Sequence, residues 1–225
     1  MLIVLDFFWR DIMSINIMIS DDHKMIREGI KQLLELDGDM KVIAEAEDGV
    51  DCLELLSEQK PDILLLDINM PNMNGIDVLK EIKQKRYPIK VLMLTVHNEV
   101  EYLVKAVDIG ADGYILKDSD SNELKNAIHT IYNGKSYIQP SLIPALNSKM
   151  ISRDNDMAKI ESLTKRELEI LILLSEGLLN REIAEACDIR ERTVKNHIFN
   201  IFKKLDVSDR TQAAVFAIKN DLVHI

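Results

Sequence analysis

Acidic, hydroxyl and amine side chains stand at the ends of short aliphatic runs in this chain, and together they define a chemistry. Asp21 and Asp22 follow INIMIS, Asp67 closes DILLLD, Thr95 closes KVLMLT and Lys117 closes DGYILK. Three carboxylates brought together repel one another unless a divalent cation or raised pKa values relieve them. Oxygen donors without His or thiol suit Mg²⁺, which favours carboxylates, waters and a phosphoryl oxygen. Lys117 supplies a mobile positive charge and Thr95 a hydroxyl donor, as a bound phosphoryl group requires. Asp67, held on a rigid run, then becomes a carboxylate nucleophile. Any one of these acids alone would serve as well to cap a helix or a turn. The set in register at run ends is what points to a site.

The elements that must position these groups alternate in type. Aliphatic runs occur at 15–20, 41–46, 62–67, 90–95 and 112–117. In PDILLLDINMPNMNG (61–75) the run is too short for a membrane span and reads as a strand buried on both faces. Between the runs lie amphipathic segments. Ile26, Ile30, Leu33 and Leu34 share one face, as do Val100, Leu103, Val104 and Val107, and Leu124, Ala127, Ile128 and Ile131. Gly110 and Gly134 stand where helix C-caps are expected. Five strands alternating with five helices predict an α/β domain with a doubly wound parallel sheet covered on both faces. In such sheets ligands bind beyond the carboxyl ends of the strands, where these polar residues lie.

After residue 138 the rhythm stops. Residues 139–160 carry Pro140 and Pro144 among Ser and Asn, and are expected to be a linker with one helical turn. Beyond it the pattern is purely helical. Thr164 with Glu167 forms a capping box for a helix to Ser175, and Gly177 ends it. Further helices are expected over 180–187, 191–205 and from Asp209 onward. The third carries an apolar stripe of Val194, Ile198, Ile201, Phe202 and Leu205. The expected organisation is a leader at 1–13, an α/β domain at 14–138, a linker at 139–160 and a small all-α domain at 161–225.

The net charge of −10 argues at first against a nucleic-acid partner. Its distribution reverses that. Residues 1–158 hold 17 Lys and Arg against 27 Asp and Glu, whereas residues 159–225 hold 11 against 11. Within 190–205, Arg190, Arg192, Lys195, Lys203 and Lys204 face Glu191 alone. Opposite the apolar stripe stand Arg192, Lys195, Asn196, Phe199, Asn200 and Lys203, a face able to read base edges and contact phosphates. A solvated charge face on a structural helix is the plainer alternative.

The two cysteines, Cys52 and Cys187, lack metal-ligand spacing and read as buried thiols in a reducing, cytoplasmic compartment. No apolar run approaches the roughly 20 residues of a membrane span. The opening MLIVLDFFWR lacks a basic n-region and reads as an extra leader, or as a docking segment using Phe7, Phe8 and Trp9.

Asp21–Asp22, the DINMPNMNG loop, LTVH and GADGYILKD, in this order over about 14–135, resemble a response-regulator receiver domain of flavodoxin-like topology. That resemblance implies that Asp67 takes a phosphoryl group from a sensor histidine kinase. It implies that Asp21, Asp22, Asp67 and the backbone carbonyl of Asn69 bind Mg²⁺, and that Thr95 and Lys117 contact the phosphoryl oxygens. Tyr114 would be the aromatic that rotates inward as Thr95 moves, and Asn69 and His97 would tune phosphoryl lifetime. Asp118 stands where many receivers have Pro.

Residues 161–223 resemble the four-helix DNA-binding domain of the LuxR/NarL/FixJ class. The resemblance places Lys195, Asn196 and Phe199 at bases in the major groove of double-stranded DNA, and Arg192 and Lys203 at phosphates. Leu179 and Arg190 stand where that class often has Ser; Asn180 could cap the first helix instead, and Arg190 offers another phosphate contact. Ala213, Ala214 and Ala217, with Ile218, would pair two copies into a homodimer on DNA, or pack within their own domain.

The chain therefore reads as a transcriptional regulator switched at Asp67, not as an enzyme. A phosphorylation-independent DNA-binding regulator keeps every residue. An aspartyl-phosphate hydrolase would need an acid two residues after its nucleophile, where Asn69 stands, and a cap domain. A histidine kinase would need a glycine-rich nucleotide loop.

Overall fold

The computed structural model describes residues 14–96 and 100–223. The expectations for residues 1–13, including Phe7, Phe8 and Trp9, and for His97 lie outside the described residues. The chain divides into two compact units, one up to Lys149 and one from Met150.

In the first unit the chain runs β1 (Ile15–Ser20), α1 (Lys24–Glu35), β2 (Met40–Ala46), α2 (Gly49–Glu58), β3 (Ile63–Asp67), α3 (Gly75–Lys85), β4 (Lys90–Thr95), α4 (Val100–Ile109), β5 (Gly113–Leu116), α5 (Ser121–Tyr132) and β6 (Tyr137–Ile138). The sheet is parallel, in the order β2-β1-β3-β4-β5-β6. The strand order reverses between β1 and β3, so the crevice beyond their carboxyl ends is where the topology puts a ligand.

Period-two alternation splits the strand side chains between two cores. Met18, Leu64, Leu66, Met93 and Tyr114 pack with α2, α3 and α4, including Cys52, Leu79, Ile82 and Leu103. Ile17, Ile19, Ile63, Leu65, Leu92 and Ile115 pack on the other side with Leu34 of α1 and Leu124, Ala127, Ile128 and Ile131 of α5. Burial on both sides explains the unbroken Ile/Leu composition of β3, all five of whose residues are buried. Asp48, Asn74 and Asp120 cap α2, α3 and α5 through their side chains. Gly110 and Gly134 adopt φ of 100° and 78° at the helix ends, which releases the chain toward β5 and β6.

Two expectations are corrected. The sheet gains a sixth, two-residue strand, in which Tyr137 pairs with Gly113 and Ile138 with Tyr114. Two residues are too few to show a period. The region expected as a linker is mostly helical, with a 3₁₀ turn (Pro140–Leu142) followed by α6 (Ile143–Glu161). Both prolines sit in the opening turns, where a missing N–H costs nothing, so they start structure here instead of breaking it.

The second unit holds α7 (Lys165–Ser175), α8 (Asn180–Ala186), α9 (Glu191–Leu205) and α10 (Arg210–Lys219) around one core. Thr164 and Glu167 form the expected reciprocal cap. Glu167 is buried and also holds Lys204 Nζ at 2.6 Å, while the same ammonium donates to Ser162 O at 2.8 Å. Asn180 does not cap α8. It is the first helical residue, the cap position is Leu179, and Glu182 Oε2 accepts the Leu179 N–H at 2.6 Å. Cys52 and Cys187 are free and buried, and burial pushes the Cys52 thiol up to about 12.

Candidate functional site

Asp21, one residue beyond β1, and Asp67, the last of β3, are 0% and 2% exposed. Asp22 is exposed beside them. Thr95 closes β4 and is 2% exposed, and Lys117 follows β5. The Lys117 N–H donates to Thr95 O at 2.7 Å, which fixes the spacing of the β4 and β5 ends. The ammonium of Lys117 lies 2.8 Å from Asp21 Oδ2 and 2.8 Å from Asp67 Oδ2. These two oxygens have it as ion-pair partner but receive no well-directed hydrogen bond, so buried negative charge is only partly compensated.

The electrostatics follow. Burial, helped by the charge of Asp21, pushes the Asp67 carboxyl up to about 6, against the adjacent Lys117 ammonium. For Lys117, burial works downward and is the largest single effect, yet Asp21 and Asp67 together carry the ammonium above its usual range.

The residues expected to hold a cation come together. Among the described residues, Asp21, Asp22, His23 and Asp67 each offer a ligand atom, and these lie within 4.8 Å of one another. One lysine cannot neutralise three carboxylates, so a divalent cation fits the donor set. His23, which the expected oxygen-only set does not contain, stands beside these acids. Its Nδ1 lies 2.6 Å from Asp22 Oδ1 and 3.3 Å from Asp21 Oδ1, and its N–H donates to Asp21 Oδ1 at 2.8 Å. The signal was its place directly after the acid pair. Arg27 was also missed. It donates from Nη1 to Asp21 O at 2.6 Å, one helical turn from His23 on α1.

The loop after Asp67 is built around Gly75, whose N–H donates to Ile68 O at 2.9 Å. A Cβ on Gly75 would lie 2.0 Å from Asp67 O, so only glycine allows this approach. Asn69 is exposed on that loop. Tyr114, expected as the aromatic that follows Thr95, is 1% exposed within the core beside α4.

On α9 the apolar stripe faces inward, with Val194, Ile201 and Leu205 buried and Ile198 and Phe202 half-buried. Arg192, Lys195, Asn196, Phe199 and Lys203 are exposed on the other side, and Arg190 is exposed at the N-cap. Lys195 pairs with Glu191 at 3.0 Å across one turn. Lys204 is not part of this face, being tied to Glu167. On α10, Ala213 and Ala217 are 0% exposed in their own core and Ala214 is half-buried, so they do not form a free pairing surface. The exposed apolar residues of that helix are Val215 and Ile218.

A parallel α/β sheet with a carboxylate and lysine site at its switch point, and a separate helical unit with an exposed basic helix, define a receiver coupled to a DNA-binding module. Residues 17–129 match the response regulator receiver domain family, and residues 161–217 match the luxR family of bacterial regulatory proteins. The transcriptional regulatory protein DegU of Brevibacillus brevis is 37% identical over 227 residues, spanning 94% of this chain and 96% of that protein. The response regulator protein VraR of Staphylococcus epidermidis is 38% identical over 211 residues, spanning 94% and 100%. Among solved structures, Salmonella typhimurium RcsB aligns with a TM-score of 0.69 at 25% identity, covering 91% of this chain and 100% of that one. The response regulator ChrA aligns at 0.55 and 32% identity, covering 94% and 100%. The chain belongs to the response regulators with a luxR-type helix-turn-helix domain. It is a DNA-binding transcription regulator controlled by phosphorylation.

Proposed function

We propose that Asp67 accepts a phosphoryl group from a sensor histidine kinase and that this changes DNA binding by the second unit. The observation that carries the reading is Asp67 itself, a buried carboxylate at a strand end with Lys117 at 2.8 Å. One oxygen of Asp67 attacks phosphorus, an O–P bond forms, and the P–N bond to the kinase imidazole breaks with the electron pair going to nitrogen. Asp21, Asp22, Asp67 and the Asn69 carbonyl would hold Mg²⁺, which would neutralise charge on the transferring oxygens.

The new group brings about −1.5 to −2 charges into the crevice. Lys117 must then divide itself between Asp21 and phosphoryl oxygens, and the Thr95 hydroxyl, now 3.2 Å from Val96 O, becomes their donor. Because Lys117 N–H bonds Thr95 O, the ends of β4 and β5 respond as one, and α4 is the helix that follows. Residues 14–138 form the receiver and 161–225 the DNA-binding domain. On DNA, Lys195, Asn196 and Phe199 face bases, while Arg190, Arg192 and Lys203 face phosphates. RcsB has been seen as dimers on DNA, which supports a homodimer here, paired through Val215 and Ile218. The free, inert thiols suit a reducing cytoplasm.

The test combines intact mass and DNA binding, with and without an acyl-phosphate donor plus Mg²⁺, for wild type and Asp67→Ala. One added phosphoryl group and tighter binding in wild type alone sustain the proposal. Identical binding in all four conditions replaces it with a phosphorylation-independent regulator.

A further inference from the structure

Phe199 is an aromatic side chain left 69% exposed in the middle of a basic helix face. The other two aromatics of the second unit behave conventionally: Phe216 is 9% exposed and Phe202 packs against the core. The core therefore already has its rings, and the outward ring contributes nothing to it. Nor does helix formation call for it, since Phe is a middling helix former. Helical spacing puts Lys195 and Asn196 one turn before Phe199 and Lys203 one turn after it. An apolar spot framed by ammonium and amide groups does not match a protein hot spot, which depletes Lys around its anchor. It does match the floor of a DNA major groove, where phosphates flank base edges and thymine presents a methyl group among donors and acceptors.

We infer that Phe199 reads the 5-methyl group of thymine, and so sets part of the target sequence. This rests on the DNA-binding reading of α9 and adds to it a base preference. Asn196, one turn earlier, offers the bidentate amide that suits adenine, so the pair favours an A/T-containing half-site. Phe199 acts as a specificity residue: it touches no phosphate and contributes little to non-specific binding.

The experiment uses the full chain treated with an acyl-phosphate donor and Mg²⁺. Duplexes are selected from a random pool. Each thymine of the best duplex is then replaced singly by deoxyuridine, which removes the methyl and leaves every hydrogen-bonding group in place. Affinity is read by fluorescence anisotropy. At one thymine per half-site, wild type loses about fourfold, the worth of one buried methyl. Phe199→Ala binds the thymine and uracil duplexes equally, and Phe199→Leu keeps part of the difference. Circular dichroism of both variants matches wild type because the ring lies outside the core. A wild type that selects and binds a duplex but ignores every methyl overturns the inference and leaves the DNA reading standing. So does a Phe199→Ala variant with the wild-type uracil penalty. A wild type that selects no duplex at all overturns the DNA reading together with it.

Discussion

Lys117 Nζ lies 2.8 Å from Asp67 Oδ2 while serving Asp21 Oδ2 at the same distance. One cation thus holds two buried carboxylates at the crevice between β1 and β3. Removing it leaves Asp67 without its ion-pair partner and Asp21 with His23 alone, at 3.3 Å, the costly case for buried carboxylates. In EDTA, Lys117→Ala is expected to lose about 2–3 kcal/mol of receiver stability in urea unfolding. Added Mg²⁺ should then stabilise the variant more than wild type. Equal stabilisation of the two would show that the lysine and the cation do not share these charges.

The pH dependence follows from Asp67. Its carboxyl is raised to about 6 in the folded chain, chiefly by burial, against about 3.8 when unfolded. A raised folded pKa means the folded state holds more protons between these values, so this group's stability is present at low pH and lost as pH rises through 6. Between pH 5 and 7 the metal-free receiver should lose about 1 kcal/mol through this group alone. Asp67→Asn should abolish that slope difference, measured by paired urea titrations of the two proteins at both pH values.

Gly75 offers a test of the loop without touching an ionisable group. An added methyl meets Asp67 O and Asp67 C at 2.0 and 2.9 Å, both backbone atoms that move only with the strand end. Gly75→Ala should cost about 2 kcal/mol by overpacking and slow phosphoryl uptake from an acyl-phosphate donor by shifting Asp67. Gly29, whose added Cβ would meet nothing, is the control, and Gly29→Ala should leave uptake unchanged.

The strand ends were legible because buried parallel strands are written in unbroken aliphatic runs, and an acid closing such a run stands out. Asp67, Thr95 and Lys117 could be placed at one sheet edge on that ground alone. His23 was not, because a lone histidine after an acid pair has no period, and its approach to Asp22 depends on how α1 starts. The helix over 143–161 was hidden by Pro140 and Pro144, whose effect reverses with position in a helix. On α10, alanine spacing shows a face but not which way it points, and Ala213 and Ala217 turned out to face inward. Lys203 and Lys204, adjacent in sequence, look equivalent until the reach of Lys204 to Glu167 is seen.

That last pair gives two opposite expectations from neighbouring residues. Lys203 is exposed on the face with Lys195, Asn196 and Phe199, so its charge is available to a phosphate. Lys203→Ala should weaken binding to all duplexes alike and reduce the slope of log affinity against log salt by about 1, with stability unchanged. Lys204 instead closes the cap of α7, donating to Glu167 Oε2 and Ser162 O. Glu167 is buried. Burial alone would raise its carboxyl, but Lys204 and the Thr164 contacts hold it below its usual range. A lowered folded pKa gives stability that is present above the unfolded value and lost as pH falls through the folded one. Lys204→Ala strips that buried carboxylate of its cation and should cost the second unit about 2 kcal/mol, with the salt slope kept. Asn196→Ala completes the set: it should cost about 1–3 kcal/mol on the preferred duplex and relax sequence preference at one base pair without changing the salt slope. Anisotropy titrations at several salt concentrations, with urea melts of the same proteins, separate the three. If Lys204→Ala lowered the salt slope as Lys203→Ala does, the division between a DNA face and a structural face on α9 would be wrong.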